Sequence, residues 1–438
     1  MIRAFAQIRS LRPMVAGRAL YSSAAAPATS QYPGAIGSPY TKDLAFVDGN
    51  APLPTYRVMD RAGKILDEAQ IPAELAGENL VSVYKQMVQL NMMDKILYDA
   101  QRQGRISFYM TNYGEEASHF GSAAALTLDD HIFSQYREAG VLMHRGFTLD
   151  DFMNQCYSNA LDPGKGRQMP VHYGSRALNF QTISSPLATQ LPQAAGAAYA
   201  LKRAGKESVV MCYFGEGAAS EGDFHAALNV ASTTNCPVIF FCRNNGFAIS
   251  TPSSEQYKGD GIGGRGPAYG IHTIRVDGND IFAVFNATKE ARRLALEKNR
   301  PVVIEAMTYR AGHHSTSDDS SAYRPREEVA DWQTKDNPIT RVRGYLESMN
   351  LWNDELEVEH QKETRAKIVD SFARAEKQPK PPIAELFTDV YDEPTPLLKA
   401  QQKEMLEMLA KYPNAYPVGN YATELPDNRH NAVDKKFI

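Results

Sequence analysis

The stretch that most restricts what this chain can fold into is residues 209–245, VVMCYFGEGAASEGDFHAALNVASTTNCPVIFFCRNN. Two strand-length apolar runs, 209–214 and 238–242, bracket a helical run, 221–232. Neither apolar run alternates with polar residues, so each reads as a strand buried on both faces, the situation of a parallel sheet covered by helices. The alternation continues with a helix at 281–297 and a strand at 302–307, inside a region extending from about 104 to 309. The prediction is an α/β fold, a parallel sheet with helices on both faces.

Ligands of open α/β sheets bind outside the carboxyl ends of the strands. One run ends at Gly215 and is followed by an acid between two glycines; the other ends in Asn-Asn, so both polar clusters reach one rim. A magnesium ion bound to a diphosphate takes oxygen ligands in octahedral array, and Glu216 with Asn245 would supply a carboxylate and an amide oxygen. Gly217 and Ala218 keep the backbone bare, their N–H groups suit phosphate oxygens, and Arg243 adds positive charge. Gly-Glu-Gly alone is an ordinary turn and Asn-Asn alone an ordinary strand end; the pair carries the reading. Residues 259–264 (GDGIGG) also contain a formal GxGxxG, but they follow the polar run SSEQYK instead of a buried strand and read as a surface loop.

The 438 residues, 43% hydrophobic, are enough to bury a large core. A net charge of −4 without any long basic block gives no footprint for nucleic acid or an anionic membrane, and no apolar run approaches the ~20 residues of a membrane span. Cys156, Cys212, Cys236 and Cys242 show no CxxC spacing and read as buried thiols. Residues 1–30 are of another kind. Arg3, Arg9, Arg12 and Arg18 punctuate Ala, Ile, Leu and Ser, with no acid before Asp43, which is the composition of a mitochondrial transit peptide. Residues 31–78 read as an extended arm. Apolar residues at helical spacing from Val83 to Ala100 begin the main α/β domain, 79–376. KQPKPP at 377–382 then opens a linker and helical tail, 377–438. There is no internal repeat.

An acid-containing Gly-x-Gly followed by a distant Asn-Asn resembles the signature of thiamine-diphosphate enzymes. The usual middle residue is Asp, here Glu216. The wider text, GEGAASEGD and CRNNGFAISTP, resembles the E1 α chains of branched-chain 2-oxo-acid dehydrogenase complexes, where Glu is the norm, from about Pro52 to Tyr391. The resemblance implies a thiamine-diphosphate-binding fold and oxidative decarboxylation of branched-chain 2-oxo acids in the mitochondrial matrix, with transfer of the acyl group to lipoamide. Pyruvate dehydrogenase α chains and a catalytically silent subunit of the same fold are the alternatives.

Residue by residue, the resemblance implies magnesium at Glu216, Asn245 and the backbone carbonyl of Phe247. It implies cofactor contacts from Tyr136, Arg137, Ser185, Leu187, Gly217, Ala218, Arg243 and His314, with Gln135 beside the approach to the site. Ser184, the Pro186 carbonyl, Thr189 and Gln190 would hold potassium. In the loop 309–324 (YRAGHHSTSDDSSAYR) His314 is the implied catalytic residue and Ser315 a phosphorylation site for a regulatory kinase and phosphatase. Animal members carry a second phosphorylated serine ten residues on, where this chain has Pro325. Adjacent His313 and His314 point apart and make a poor metal pair. The carboxylate that activates the cofactor is expected from a β chain, in an α2β2 assembly that serves a lipoyl-bearing E2 transacylase, because no second such domain fits in the remaining chain.

Overall fold

The computed structural model describes residues 29–30, 32, 34–46 and 51–425. The predicted leader falls outside the described residues, its last two excepted. The chain divides into two units, 1–50 and 51–438. In the first, Thr29 bridges Pro39 and Ser30 N–H donates to the Ser38 carbonyl at 2.7 Å, closing a small turn.

The second unit begins with β1 (Thr55–Tyr56) and α1 (Glu78–Arg102), followed by α2 (Glu116–Ala124), β2 (His131–Phe133), α3 (Ala139–His144), α4 (Leu149–Tyr157) and α5 (Gln190–Arg203). Next come β3 (Val210–Gly215), α6 (Gly222–Thr233), β4 (Val238–Asn244), a hairpin of β5 (Phe247–Ala248) and β6 (Thr251–Pro252), and α7 (Ser253–Gln256). After β7 (His272–Asp277), α8 (Ile281–Lys298) and β8 (Val302–Met307), helices α9 (Arg326–Lys335), α10 (Pro338–Ser348), α11 (Asp354–Glu376) and α12 (Pro396–Lys411) complete the chain. Six strands form one parallel sheet in the order β1-β7-β8-β4-β3-β2. The predicted α/β architecture with a parallel sheet is therefore the observed one.

Strand pleating explains why β3 and β4 carry unbroken apolar sequence. Met211, Tyr213, Ile239 and Phe241 face one core, built with α1, α2 and α8, while Val210, Cys212, Phe214, Phe240 and Cys242 face a second, built with α5 and α6. Each strand thus buries both faces. Helix α1 seats Val83, Met87, Leu90, Met93 and Leu97 in the first core, the spacing read from the sequence. Helix α11 starts at Asp354, where the Asn353 side chain accepts from Leu356 N–H at 2.9 Å and caps it.

Residues 55–56 join the sheet edge. Asp280 caps α8 with one oxygen, and with the other accepts from the N–H groups of Val58 and Met59 at 2.6 and 2.7 Å. The 259–264 segment departs from its reading as a surface loop. From Gly261 it turns inward, Ile262 is buried, and the amides of Ile262 and Gly263 donate to Glu305 at 2.8 and 2.9 Å. A carboxylate inside β8 needs those donors, together with Arg275, to be buried at all. No helix among the described residues is long and apolar enough to cross a membrane.

Candidate active site

The carboxyl ends of β2, β3, β4 and β8 open onto a cleft of about 340 Å³, within the usual range for a small-molecule site. Its walls include Gln135, Tyr136 and Arg137 after β2, Gly215–Ala218 after β3, Arg243, Asn245 and Phe247 from β4 onward, and Arg310 and His314 after β8. Ser185 and Leu187 close one side. Residues far apart in sequence meet here because parallel strands deliver all their carboxyl ends to one rim.

Glu216 is buried at 1% exposure. Its Oε2 accepts from Asn245 N–H at 3.3 Å, and its Oε1 has no hydrogen-bond partner. Burial pushes this carboxyl up to about 7, and nearby Glu115 adds to the rise. An orphaned carboxylate oxygen on a cleft wall is what a bound cation would satisfy. Among the described residues no three His, Cys, Asp or Glu side chains cluster to hold a metal by themselves. One carboxylate, the Asn245 amide and the Phe247 carbonyl fit a magnesium ion that draws its other oxygens from a bound diphosphate and water.

The backbone beside Glu216 is equally permissive. A Cβ on Gly217 would lie 2.7 Å from Ala248 Cβ, so only glycine lets the β5 hairpin close over the turn. The N–H groups of Ala219 and Ser220 bond back to the carbonyls of Glu216 and Gly217, while no partner holds those of Gly217 and Ala218. Among the described residues these two donors are thus left for an oxygen ligand. They belong to a short 3-10 turn, Ala218–Ser220, ahead of α6 and not to the helix itself.

The arginines have distinct duties. Arg243 gives Nε to Glu138 and Nη1 to Glu115, all three side chains being buried, which leaves Nη2 for the cleft. Glu115 also accepts from Asn245 Nδ2 at 2.8 Å and so fixes the amide. Burial raises the Glu115 carboxyl, and Arg243 and Arg137 more than offset this, holding it below the usual range. Arg137 donates to the Thr111 and His314 carbonyls. Arg310 donates Nη2 to the Ile249 carbonyl and Tyr323 hydroxyl, each at 2.7 Å, and keeps an unpartnered buried Nε.

His314 is pinned by its backbone N–H to Asp318 at 2.8 Å and by an edge-on contact with Tyr136. Its Nδ1 is faced by Arg137 at 3.5 Å and Arg310 at 3.4 Å. Guanidinium groups only donate, so Nδ1 is the lone-pair nitrogen and Nε2 carries the proton. Burial, then the Arg137 and Arg310 charges, push the imidazole down to about 3. The site therefore holds a neutral histidine that donates through Nε2. Ser315, next in sequence, is buried at 7% exposure, with Oγ accepting from Ser317 N–H.

Of the four residues read as a potassium site, Thr189 Oγ1 lies 3.1 Å from the Pro186 carbonyl, and Gln190 donates Nε2 to the Tyr213 carbonyl at 3.0 Å. Ser184 is half-buried at the head of the same turn. The Thr189 hydroxyl donates to the Pro186 carbonyl and so closes the turn before α5.

A match to the family described as Dehydrogenase E1 component covers residues 84–384. The chain belongs to the dehydrogenase E1 component family. It is 58% identical over 393 residues to the human protein named 2-oxoisovalerate dehydrogenase subunit alpha, mitochondrial, covering 89% of this chain and 88% of that one. The protein of the same name from Caenorhabditis elegans is 56% identical over 419 residues, covering 95% and 96%, and that from Dictyostelium discoideum is 58% identical over 384, covering 87% of each. Membership of this family implies thiamine diphosphate as cofactor, and a β subunit and an E2 component as partners.

The sequence reading missed the residues that hold this E1 cleft together, Glu115, Glu138 and Arg310. Glu138 stood inside SQYREAG, and Glu115 precedes a helix start of small residues, but their partner Arg243 is more than a hundred positions away. The signal was an acid where the flanking sequence is otherwise fit for burial.

Two further acids beneath the cleft give the cofactor-free E1 chain a pH signature. Asp94 accepts from Tyr109 and Asn112, and Glu116 from Asn91 and Gly114, and together they brace the turn whose Thr111 carbonyl holds Arg137. Burial pushes both carboxyls up to about 7. The folded state therefore keeps protons that the unfolded chain has already released. That stability is complete below the ordinary carboxylate range and is lost as pH rises through about 7. The urea midpoint of the cofactor-free enzyme should be lower at pH 8 than at pH 5.5, and Asp94→Asn should flatten the slope; a midpoint rising with pH would contradict this.

Proposed function

We propose that the chain is the α subunit of a mitochondrial branched-chain 2-oxo-acid dehydrogenase of the matrix, acting on acids such as 2-oxoisovalerate. The observation that carries it is one cleft that gathers Glu216, Asn245, Arg137 and His314 from four strand ends, in a chain so close to proteins of that name over nearly its full length. Those names favour branched-chain acids over pyruvate, and an intact constellation speaks against a silent subunit.

In this reading Glu216, Asn245 and the Phe247 carbonyl hold magnesium, and the Gly217 and Ala218 amides with Arg137, Arg310 and the free Nη2 of Arg243 hold the diphosphate. Tyr136, Ser185 and Leu187 line the cofactor body, and Ser184, Pro186, Thr189 and Gln190 hold potassium. Thiamine diphosphate, when bound, supplies the electron sink that lets a 2-oxo acid lose carbon dioxide. His314 donates a hydrogen bond from Nε2 at the reacting centre, its neutral state secured by the two arginines. Water is excluded by the β5 hairpin and the 309–324 loop. A β chain completes the site in an α2β2 assembly, and a lipoyl-bearing E2 transacylase takes the acyl group. His314→Ala should lower kcat by ~10²–10⁴-fold, the usual worth of a positioned proton donor, with cofactor affinity by calorimetry little changed. Equal loss of both would place His314 in binding alone.

Phosphorylation of Ser315 by a regulatory kinase, reversed by a phosphatase, belongs to the same reading. A phosphate adds about −1.5 to −2 charges at a residue with no room for them, so the loop must open. Ser315→Glu is expected to expose the 309–324 loop to limited proteolysis and lower turnover at least tenfold, the scale of ~1.4 kcal/mol within a ~3–5 kcal/mol cost of an unpaired buried charge. A loop as resistant as the wild type's would overturn it.

A further inference from the structure

His172 belongs to no residue set named above. Its ring is buried at 6% exposure, with Nε2 2.5 Å from Oγ of Ser185, which lines the cleft. Its Nδ1 lies 3.1 Å from the Pro170 carbonyl oxygen. A carbonyl only accepts, so Nδ1 carries the ring proton and Nε2 the lone pair; the Ser185 hydroxyl must then donate to His172. With its proton so engaged, Ser185 has only lone pairs left for the cleft.

The backbone on both sides of this contact is held in an unusual conformation. Val171 has φ 66°, a left-handed angle that a β-branched residue rarely adopts, and Ala188, just past the cleft-lining Leu187, has φ 67°. Buried Gln155 on α4 fixes the first of these, accepting from Val171 N–H at 3.1 Å and donating to the Met169 carbonyl at 2.7 Å. Backbone strain persists where surrounding structure over-determines it, and it gathers at functional sites. Here it brings a histidine up behind a serine of the cleft wall.

We propose that His172 is a positioning residue, which makes the Ser185 hydroxyl a pure hydrogen-bond acceptor for an N–H or O–H donor on the molecules held in the cleft. This rests on the reading of the cleft given above. The chain Pro170 carbonyl to imidazole to hydroxyl orients one lone-pair donor atom.

The test is a double-mutant cycle in the assembled enzyme with its β chain, thiamine diphosphate and 2-oxoisovalerate, read as kcat/KM. His172→Phe and Ser185→Ala should each lower it about tenfold, the scale of one hydrogen bond. The double variant should be no worse than Ser185→Ala, because the histidine acts only through the serine. His172→Gln, whose amide oxygen can accept from Ser185, should recover most of the loss. Additive losses, or no rescue by glutamine, would overturn the proposal and leave His172 a packing residue. Neutron diffraction of the assembled enzyme decides the same point without activity. Deuterium on Nδ1 of His172 and on Oγ of Ser185 pointing at Nε2 upholds it, and deuterium on Nε2 overturns it. A wild type that turns over no 2-oxo acid would defeat the functional reading while that proton assignment still stood or fell by itself.

Discussion

Replacing Glu216 by alanine is expected to abolish turnover, with a loss larger than the ~10–100-fold typical of residues one shell away from a metal, and to remove the magnesium dependence of cofactor binding. The carboxylate has one oxygen without a partner and the other on a single long bond from Asn245 N–H. Without a cation it is a liability. Burial raises its carboxyl from 4.5 to about 7, which at alkaline pH costs the cofactor-free fold on the order of 3 kcal/mol. Glu216→Gln should therefore raise the urea midpoint of the cofactor-free enzyme at pH 8 while eliminating activity. That opposition of sign marks a residue kept for chemistry at the expense of stability. Activity surviving in either variant would remove Glu216 from the metal site.

Arg243→Ala should have the largest effect on stability. It strands Glu115 and Glu138, both fully buried, without their shared cation. Breaking a buried ion pair by deleting one partner costs about 3–5 kcal/mol, a large part of the ~5–15 kcal/mol that stabilises a domain. Chemical denaturation of the assembled enzyme would register it as a lowered midpoint. Adding Glu115→Gln and Glu138→Gln should restore much of the loss by removing the stranded charges. Activity should not return, because the cleft still lacks the Arg243 guanidinium. If Arg243 served only the phosphate, its removal would weaken cofactor binding and leave the cofactor-free midpoint unchanged.

The sheet was legible because its central strands are buried on both faces, and the runs at 209–214 and 238–242 say so in apolar residues alone. The rim position of Glu216 and Asn245 was legible because each comes within three residues of the end of such a run, where the fold itself dictates the rim. The network among Glu115, Glu138 and Arg243 was not, since hydrogen-bond partners in a parallel sheet come from distant strands and no local spacing records them. The same holds for His172, whose partner is fixed by a strained turn at Val171 that no propensity would choose. The burial of Ile262 was hidden for a related reason, because the donors it brings serve Glu305, one acid inside an otherwise apolar strand. The turn at 184–190, proposed to hold potassium, carried no signal apart from family resemblance.

The central claim is tested most directly by carbon dioxide release from 2-oxoisovalerate and from pyruvate, using the chain assembled with its cognate β chain, thiamine diphosphate, magnesium and potassium. The expected result is turnover of 2-oxoisovalerate well above that of pyruvate, lost in Glu216→Ala. Preference for pyruvate would contradict the substrate, and no turnover with no cofactor bound would contradict the site.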